Sequence, residues 1–254
     1  MKKVIIVVLC SLFLFMLTPN LSKANSTSDF TDISNSYARD AILELANAGI
    51  LNGTGDGTFD PTANITRQDF AIIMAKALGL DTTTPPSTQT FSDVPPNHYS
   101  FSYVEAAAAA GLFDGIGNGQ FGLGSSLTKE QMAVVFVNAL GADTSGMASS
   151  LPFSDSDSIS SWAKDAVAFA TEARLITGTP AGSFEPLAPA ERQQVALVAS
   201  RFIDVIEENT PEPEPEPNPI PPIDPAPQPE PNPPYNPGPN PNPNPNPNST
   251  SPNS

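Results

Sequence analysis

The chain has 254 residues with 27 acidic against 11 basic side chains, a net charge of −16, 30 prolines, one cysteine and one histidine. The negative charge argues against nucleic acid or an anionic membrane as a general partner. One cysteine and one histidine, Cys10 and His98, exclude an internal disulfide and a multi-histidine metal centre.

Residues 1–24 read as a secretory signal peptide. Lys2-Lys3 form a basic start, Val4 to Leu17 an apolar run, and Ser22-Lys23-Ala24 supplies small residues before a cut after Ala24. The run is 14 residues long, short of the roughly 20 that span a bilayer. Cleavage is therefore favoured over a membrane anchor, with no membrane insertion afterwards. Cys10 lies inside the run, and Val7-Val8-Leu9 before it lack the small residues of a lipoprotein site. With Lys2, Lys3 and Lys23 removed, eight basic residues face 27 acidic ones, and the net charge becomes −19.

Three units follow, over 30–80, 91–141 and 153–205. They open with Phe30-Thr31-Asp32, Phe91-Ser92-Asp93 and Phe153-Ser154-Asp155. A polar turn then carries an aromatic residue: Tyr37, Tyr99 and Trp162. Apolar residues at helical spacing predict a first helix, with Ala38, Ile42 and Leu45, then Val104 and Ala107, then Ala166, Val167 and Ala170. Gly49 and Gly111 sit where a helix C-cap is wanted. Arg174 stands there in the third unit, a departure expected to alter the exit turn.

A Gly-rich loop comes next: Gly53-Thr-Gly-Asp-Gly-Thr-Phe59, Gly115-Ile-Gly-Asn-Gly-Gln-Phe121 and Gly178-Thr-Pro-Ala-Gly-Ser-Phe184. The three phenylalanines are 62 and 63 residues apart, and a fixed internal spacing repeated three times is a repeat architecture. They are expected to plug the loops onto the core. Eight residues after each Phe stands a cation, Arg67, Lys129 or Arg192, at the start of a second helix. Thr66 and Thr128 are good N-caps, with Asp69 and Gln131 placed for a capping box. Glu191 is a weaker cap in the third unit. The fold predicted is mainly α, three helix–loop–helix repeats of which none buries enough surface to fold securely alone. The connections over 81–90 and 142–152 read as exposed.

Residues 211–254 hold 20 of the 30 prolines. Segment 210–254 reads as a disordered, polyproline-II-rich tail. It is either a spacer through the envelope or a solubilising extension, and a protein partner for it is left open.

No cofactor is called for. Asp155-Ser156-Asp157 lacks the rest of a calcium loop, and no phosphate-loop Lys follows Gly53. Acids are numerous enough for a hydrolase pair, but Asp32, Asp93 and Asp155 recur at the same repeat position, which suits scaffold or ligand binding rather than one asymmetric active site. A cation in the first turn of a helix opposes the helix dipole. Two readings stand: the cation, with free helix-start N–H groups, holds an anionic ligand beside a stacking aromatic, or each cation pairs with an Asp of its own repeat.

On these motifs, Phe-x-Asp, aromatic-Ala, Gly-x-x-x-Gly-x-Phe and Ile-Thr-Arg-x-acid, the chain over about 30–205 resembles three tandem S-layer homology domains. The resemblance implies a pseudo-threefold packing with one helix of each repeat in a central bundle. It also implies a non-enzymatic module, secreted and held at the cell wall or surface layer. The module would bind secondary cell wall polysaccharide, through a pyruvylated acidic sugar, in grooves between repeats. The family's binding positions fall on Arg67, Lys129 and Arg192, more loosely on Tyr37, Tyr99 and Trp162, on Asp32, Asp93 and Asp155, and on Gly53, Gly115 and Gly178. Lys129 lacks the bidentate geometry of Arg, the third unit lacks the Thr before Arg192, and two of the three aromatics are Tyr rather than Trp. Unequal grooves are expected, with that of Arg67 the best. The alternatives are a structural protein assembling laterally into a surface layer, a wall-active glycoside hydrolase, or an adaptor acting through its tail.

Overall fold

Each repeat builds the same two helices in the computed structural model, which describes residues 30–209 apart from 85 and 87, together with residue 238. The predicted signal peptide and almost all of the Pro-rich tail lie outside the described residues. The helices are α1 (Arg39–Asn47), α2 (Arg67–Ala77), α3 (Phe101–Ala109), α4 (Lys129–Leu140), α5 (Lys164–Glu172) and α6 (Arg192–Asn209). No strand occurs among the described residues, only isolated β-bridges.

The second helices start where the sequence places them. The Asp69 N–H donates to Thr66 Oγ1 at 3.2 Å, and Thr128 with Gln131 completes a reciprocal capping box. The first helices have no side-chain cap and owe their position to packing. Their exits are alike. Gly49 and Gly111 both have φ +73°, and Arg174 takes φ +59°. The three N–H groups donate to the carbonyls of Ala46, Ala108 and Thr171 at 3.0, 2.9 and 3.1 Å. The expectation that Arg174 would change the third exit turn is thus corrected: the surrounding packing holds an arginine in the left-handed conformation that glycine adopts more easily.

Phe59, Phe121 and Phe184 are fully buried, as expected for loop plugs. Each ring lies against the Phe that opens its own unit, with centroids 5.5, 5.4 and 5.2 Å apart for Phe30, Phe91 and Phe153. This contact explains the first glycine of each loop. A Cβ on Gly115 would come within 2.8 Å of the Phe91 ring and 2.5 Å of the Gln120 carbonyl oxygen.

Packing between repeats is staggered. Helix α3 packs on α2, α5 on α4, and α1 on α6. The first helix of each repeat therefore leans on the second helix of the repeat before it, and the third repeat serves the first. Helices α2, α4 and α6 form the centre, where Phe136 touches both Phe70 and Phe202 at ring distances of 5.3 and 5.2 Å. These rings stand three, seven and ten residues after the cations of their helices, so each helix supplies its large side chain at a different level. Met, Val and Ala fill the matching positions of the other two. Just before the helices, three backbone hydrogen bonds run in a circle. Ile65 N–H donates to Ala190, Ala190 to Leu127, and Leu127 to Ile65, at 3.0, 2.8 and 3.0 Å.

Candidate functional site

The staggered packing directs each cation away from its own repeat. Arg67 Nε donates to the carbonyl of Phe121, in the loop of the second repeat, at 2.9 Å, and Nη1 to Gln131 Oε1 at 3.1 Å. Arg192 Nε donates to the carbonyl of Phe59, in the first repeat, and Nη2 to that of Asn52, both at 2.8 Å. Lys129 Nζ reaches Glu185 Oε2, in the third repeat, at 2.6 Å. The two arginines also lie over rings of those loops, Arg67 over Phe121 at 5.1 Å and Arg192 over Phe59 at 4.4 Å. Neither sequence reading foresaw this. The cations do not pair with the Asp of their own repeats. Carbonyl and ring contacts across the repeat boundary offset the unfavourable dipole at the helix start.

The opening aspartates tie each loop to its own turn. Asp32 accepts the N–H groups of Phe59 and Asp60 at 2.9 and 2.7 Å. Asp93 accepts those of Phe121, Gly122 and Leu123 at 2.7, 2.8 and 2.9 Å. Asp155 accepts those of Phe184 and Glu185, both at 2.7 Å. Desolvation pushes each carboxyl up, but the backbone donors outweigh it and hold all three below their ordinary value.

The helix starts offer fewer free donors than the sequence reading supposed. The N–H groups of Arg67, Lys129 and Arg192 donate to the carbonyls of Ser125, Ala188 and Ala63 at 3.0, 3.0 and 2.9 Å. Those of Glu130 and Gln193 are likewise taken, by Pro186 and Pro61.

Three inter-repeat places result, and they differ. The first is a groove of about 460 Å³ containing Arg67, Asp114, Gly115, Ile116, Gln131, Asn138 and Trp162. The Trp162 ring is 57 % exposed, while Arg67 lies buried at the groove. Desolvation lowers the guanidinium pKa, with Asp93 opposing, and Arg67 forms no ion pair among the described residues. The second groove, about 350 Å³, contains Arg192, Asn52, Gly53, Asp69 and Tyr99. Its wall carries Asp69, which accepts the Tyr99 hydroxyl at 3.0 Å, where the first groove has Gln131, and neutral Asn52 where the first has Asp114. Arg192 stands in the field of Asp69, Asp60 and Asp32. At the third place Lys129 is already ion-paired with Glu185. Tyr37 is exposed, and burial with the Glu191 carboxylate raises its phenol pKa against Arg201.

The structure thus brings Arg67 with Trp162 and Gly115, and Arg192 with Tyr99 and Gly53. Gly178 packs against Phe153 in the manner of Gly115 on Phe91. Sequence reasoning missed Asn52, Asp114, Ile116, Gln131 and Asn138 as groove residues, and read Asp69 as a cap alone. The equivalent positions 69, 131 and 194 hold Asp, Gln and Gln, and that single acid among amides was the available signal.

A family model described as the S-layer homology domain matches residues 29–71, 90–133 and 152–196. The chain is 31% identical over 204 residues, 78% of its length, to an endoglucanase of Bacillus sp. (strain KSM-635), covering 21% of that protein. It is 30% identical over 190 residues, 74% of its length, to a surface-layer 125 kDa protein of Lysinibacillus sphaericus, covering 16% of it. It is 28% identical over 162 residues, 62% of its length, to a cellulosome-anchoring protein of Acetivibrio thermocellus, covering 36% of it. The chain therefore spans only about a sixth to a third of the length of these relatives.

Proposed function

The chain belongs to the S-layer homology domain family, whose members anchor proteins at the cell surface, and from that premise we propose that it holds to the envelope by binding an acidic cell wall polysaccharide in the groove of Arg67 and Trp162. Its place is outside the cell, attached to the envelope, as family membership and the surface-layer and anchoring relatives indicate. The observation that carries the finer reading is the company Arg67 keeps. Two of its N–H groups are used by neutral acceptors, one of them Gln131, and the exposed Asp114 that lines the same groove makes no ion pair with it. An exposed indole lines the same groove. A pyruvyl carboxylate would take the remaining guanidinium donors, and the sugar ring would lie on Trp162.

The module is read as non-catalytic. The triplicated aspartates are committed to loop amides rather than paired across a cleft, and the endoglucanase shares only a fifth of its length with the chain.

Trp162→Ala tests the reading without touching the core. Co-sedimentation with pyruvylated wall material should weaken roughly tenfold, equivalent to about 1.4 kcal/mol. Equal retention of the unaltered protein by wall stripped of its polysaccharide would sink the proposal.

A further inference from the structure

We infer that the residue following the loop phenylalanine decides which inter-repeat place accepts an acidic ligand, and that Glu185 already serves as the internal counter-ion of Lys129 and closes the third one. This rests on the reading of the grooves as acidic-sugar sites.

The position is Asp60, Gly122 or Glu185 in the three repeats. All three are left-handed, at φ 58°, 90° and 59°, so the backbone is of one kind and the side chain is the variable. Its direction is visible at Gly122. A Cβ placed there would stand 3.3 Å from both Cδ and Nε of Arg67. A side chain at this position therefore lies against the cation contributed by the preceding repeat. Glu185 does so, with its carboxylate 2.6 Å from Lys129 Nζ.

The conformation favours glycine, and a β-carbon in it costs about 1–2 kcal/mol. Two repeats nevertheless carry an acid there, and the repeat that carries glycine, the second, is the one that receives Arg67 from the first, with neutral Gln131 at the guanidinium. A tethered carboxylate competes with a free one at high effective concentration. The compact ammonium of Lys129 has no forked geometry with which to hold both. The second groove is intermediate: Asp60 occupies the position and stands in the field of Arg192, but the two make no ion pair among the described residues.

Calorimetric titration of the full chain with a 4,6-pyruvylated hexosamine glycoside, and with the same sugar lacking pyruvate, tests the assignment. Glu185→Gly, compatible with the left-handed backbone, should raise the number of pyruvate-dependent sites per chain by one. Adding Lys129→Met should remove the extra site. Glu185→Gln, which keeps the side-chain size, should behave as Glu185→Gly. In the converse direction, Gly122→Asp should weaken the Arg67 groove at least tenfold more than Gly122→Asn. A site number unchanged by both Glu185 variants, in a protein that does bind the pyruvylated sugar, overturns the counter-ion assignment alone. No pyruvate-dependent binding by any form overturns the acidic-sugar reading and this inference with it.

Discussion

At the scale of single residues, Arg174 is the position where side chain and backbone disagree. It holds φ +59° in a turn that Gly49 and Gly111 make at +73°, and its amide keeps the same hydrogen bond as theirs. The β-carbon is strained there, by about 1 kcal/mol. Arg174→Gly should therefore raise stability by up to about 1 kcal/mol, less what glycine adds to the entropy of the unfolded chain. A urea midpoint shifted upward at unchanged slope is the expected result, and Arg174→Ala, which keeps the β-carbon, should give no such gain. Arg67 carries the same lesson with the opposite outcome. A cation at a helix start looks misplaced from its own helix, yet its guanidinium satisfies the carbonyl of Phe121 and covers that ring.

At the scale of elements, the most exposed dependence is on the clasps between opening turn and loop. Asp32, Asp93 and Asp155 are ordinary carboxyls of value 3.8 when unfolded and lie lower when folded. A lowered folded value means that the unfolded state binds protons first, so the clasps stabilise fully above the unfolded value and are lost as pH falls through the folded ones. The melting temperature should decline below about pH 4, and Asp93→Asn, which no longer titrates, should flatten part of that decline. An acid limb unchanged in Asp93→Asn would contradict the role. These elements were largely legible in the sequence. Thr66 and Thr128 mark helix starts by their own chemistry, and the constant spacing of Phe59, Phe121 and Phe184 marks the plugs. Which loop meets which helix was not legible. Arg67 meets a carbonyl 54 residues away and Arg192 one 133 residues away, and a repeated spacing is equally compatible with pairing inside a repeat or across its boundary. The buried carboxylates were hidden for the same reason. Glu105 accepts the N–H of Thr90 at 2.9 Å, and Glu130 that of Ser160 at 3.0 Å. Both partners lie outside the helix whose periodicity was being read.

At the scale of the whole repeat assembly, the packing of α1 on α6 makes the first repeat depend on the last. Ile42 and Leu45, buried on α1, owe that burial to a helix at the far end of the sequence. A circular permutant opened within 81–90, with Asn209 joined to Phe30 by a flexible linker of about ten residues, should keep a single cooperative melt within about 5 °C of the parent. Removal of α6 should instead abolish cooperative unfolding throughout, and a truncated form that still melted cooperatively would show the repeats to be independent. The circle of amide-to-carbonyl bonds through Ile65, Ala190 and Leu127 sets a further limit. Each member gives one bond and receives one, in a single rotational sense, so the head-to-tail contact closes at three. A fourth repeat would find neither donor nor acceptor waiting. The valence of such a module is therefore counted in whole trios, and within one trio it is tuned only by which of its three mouths are left open.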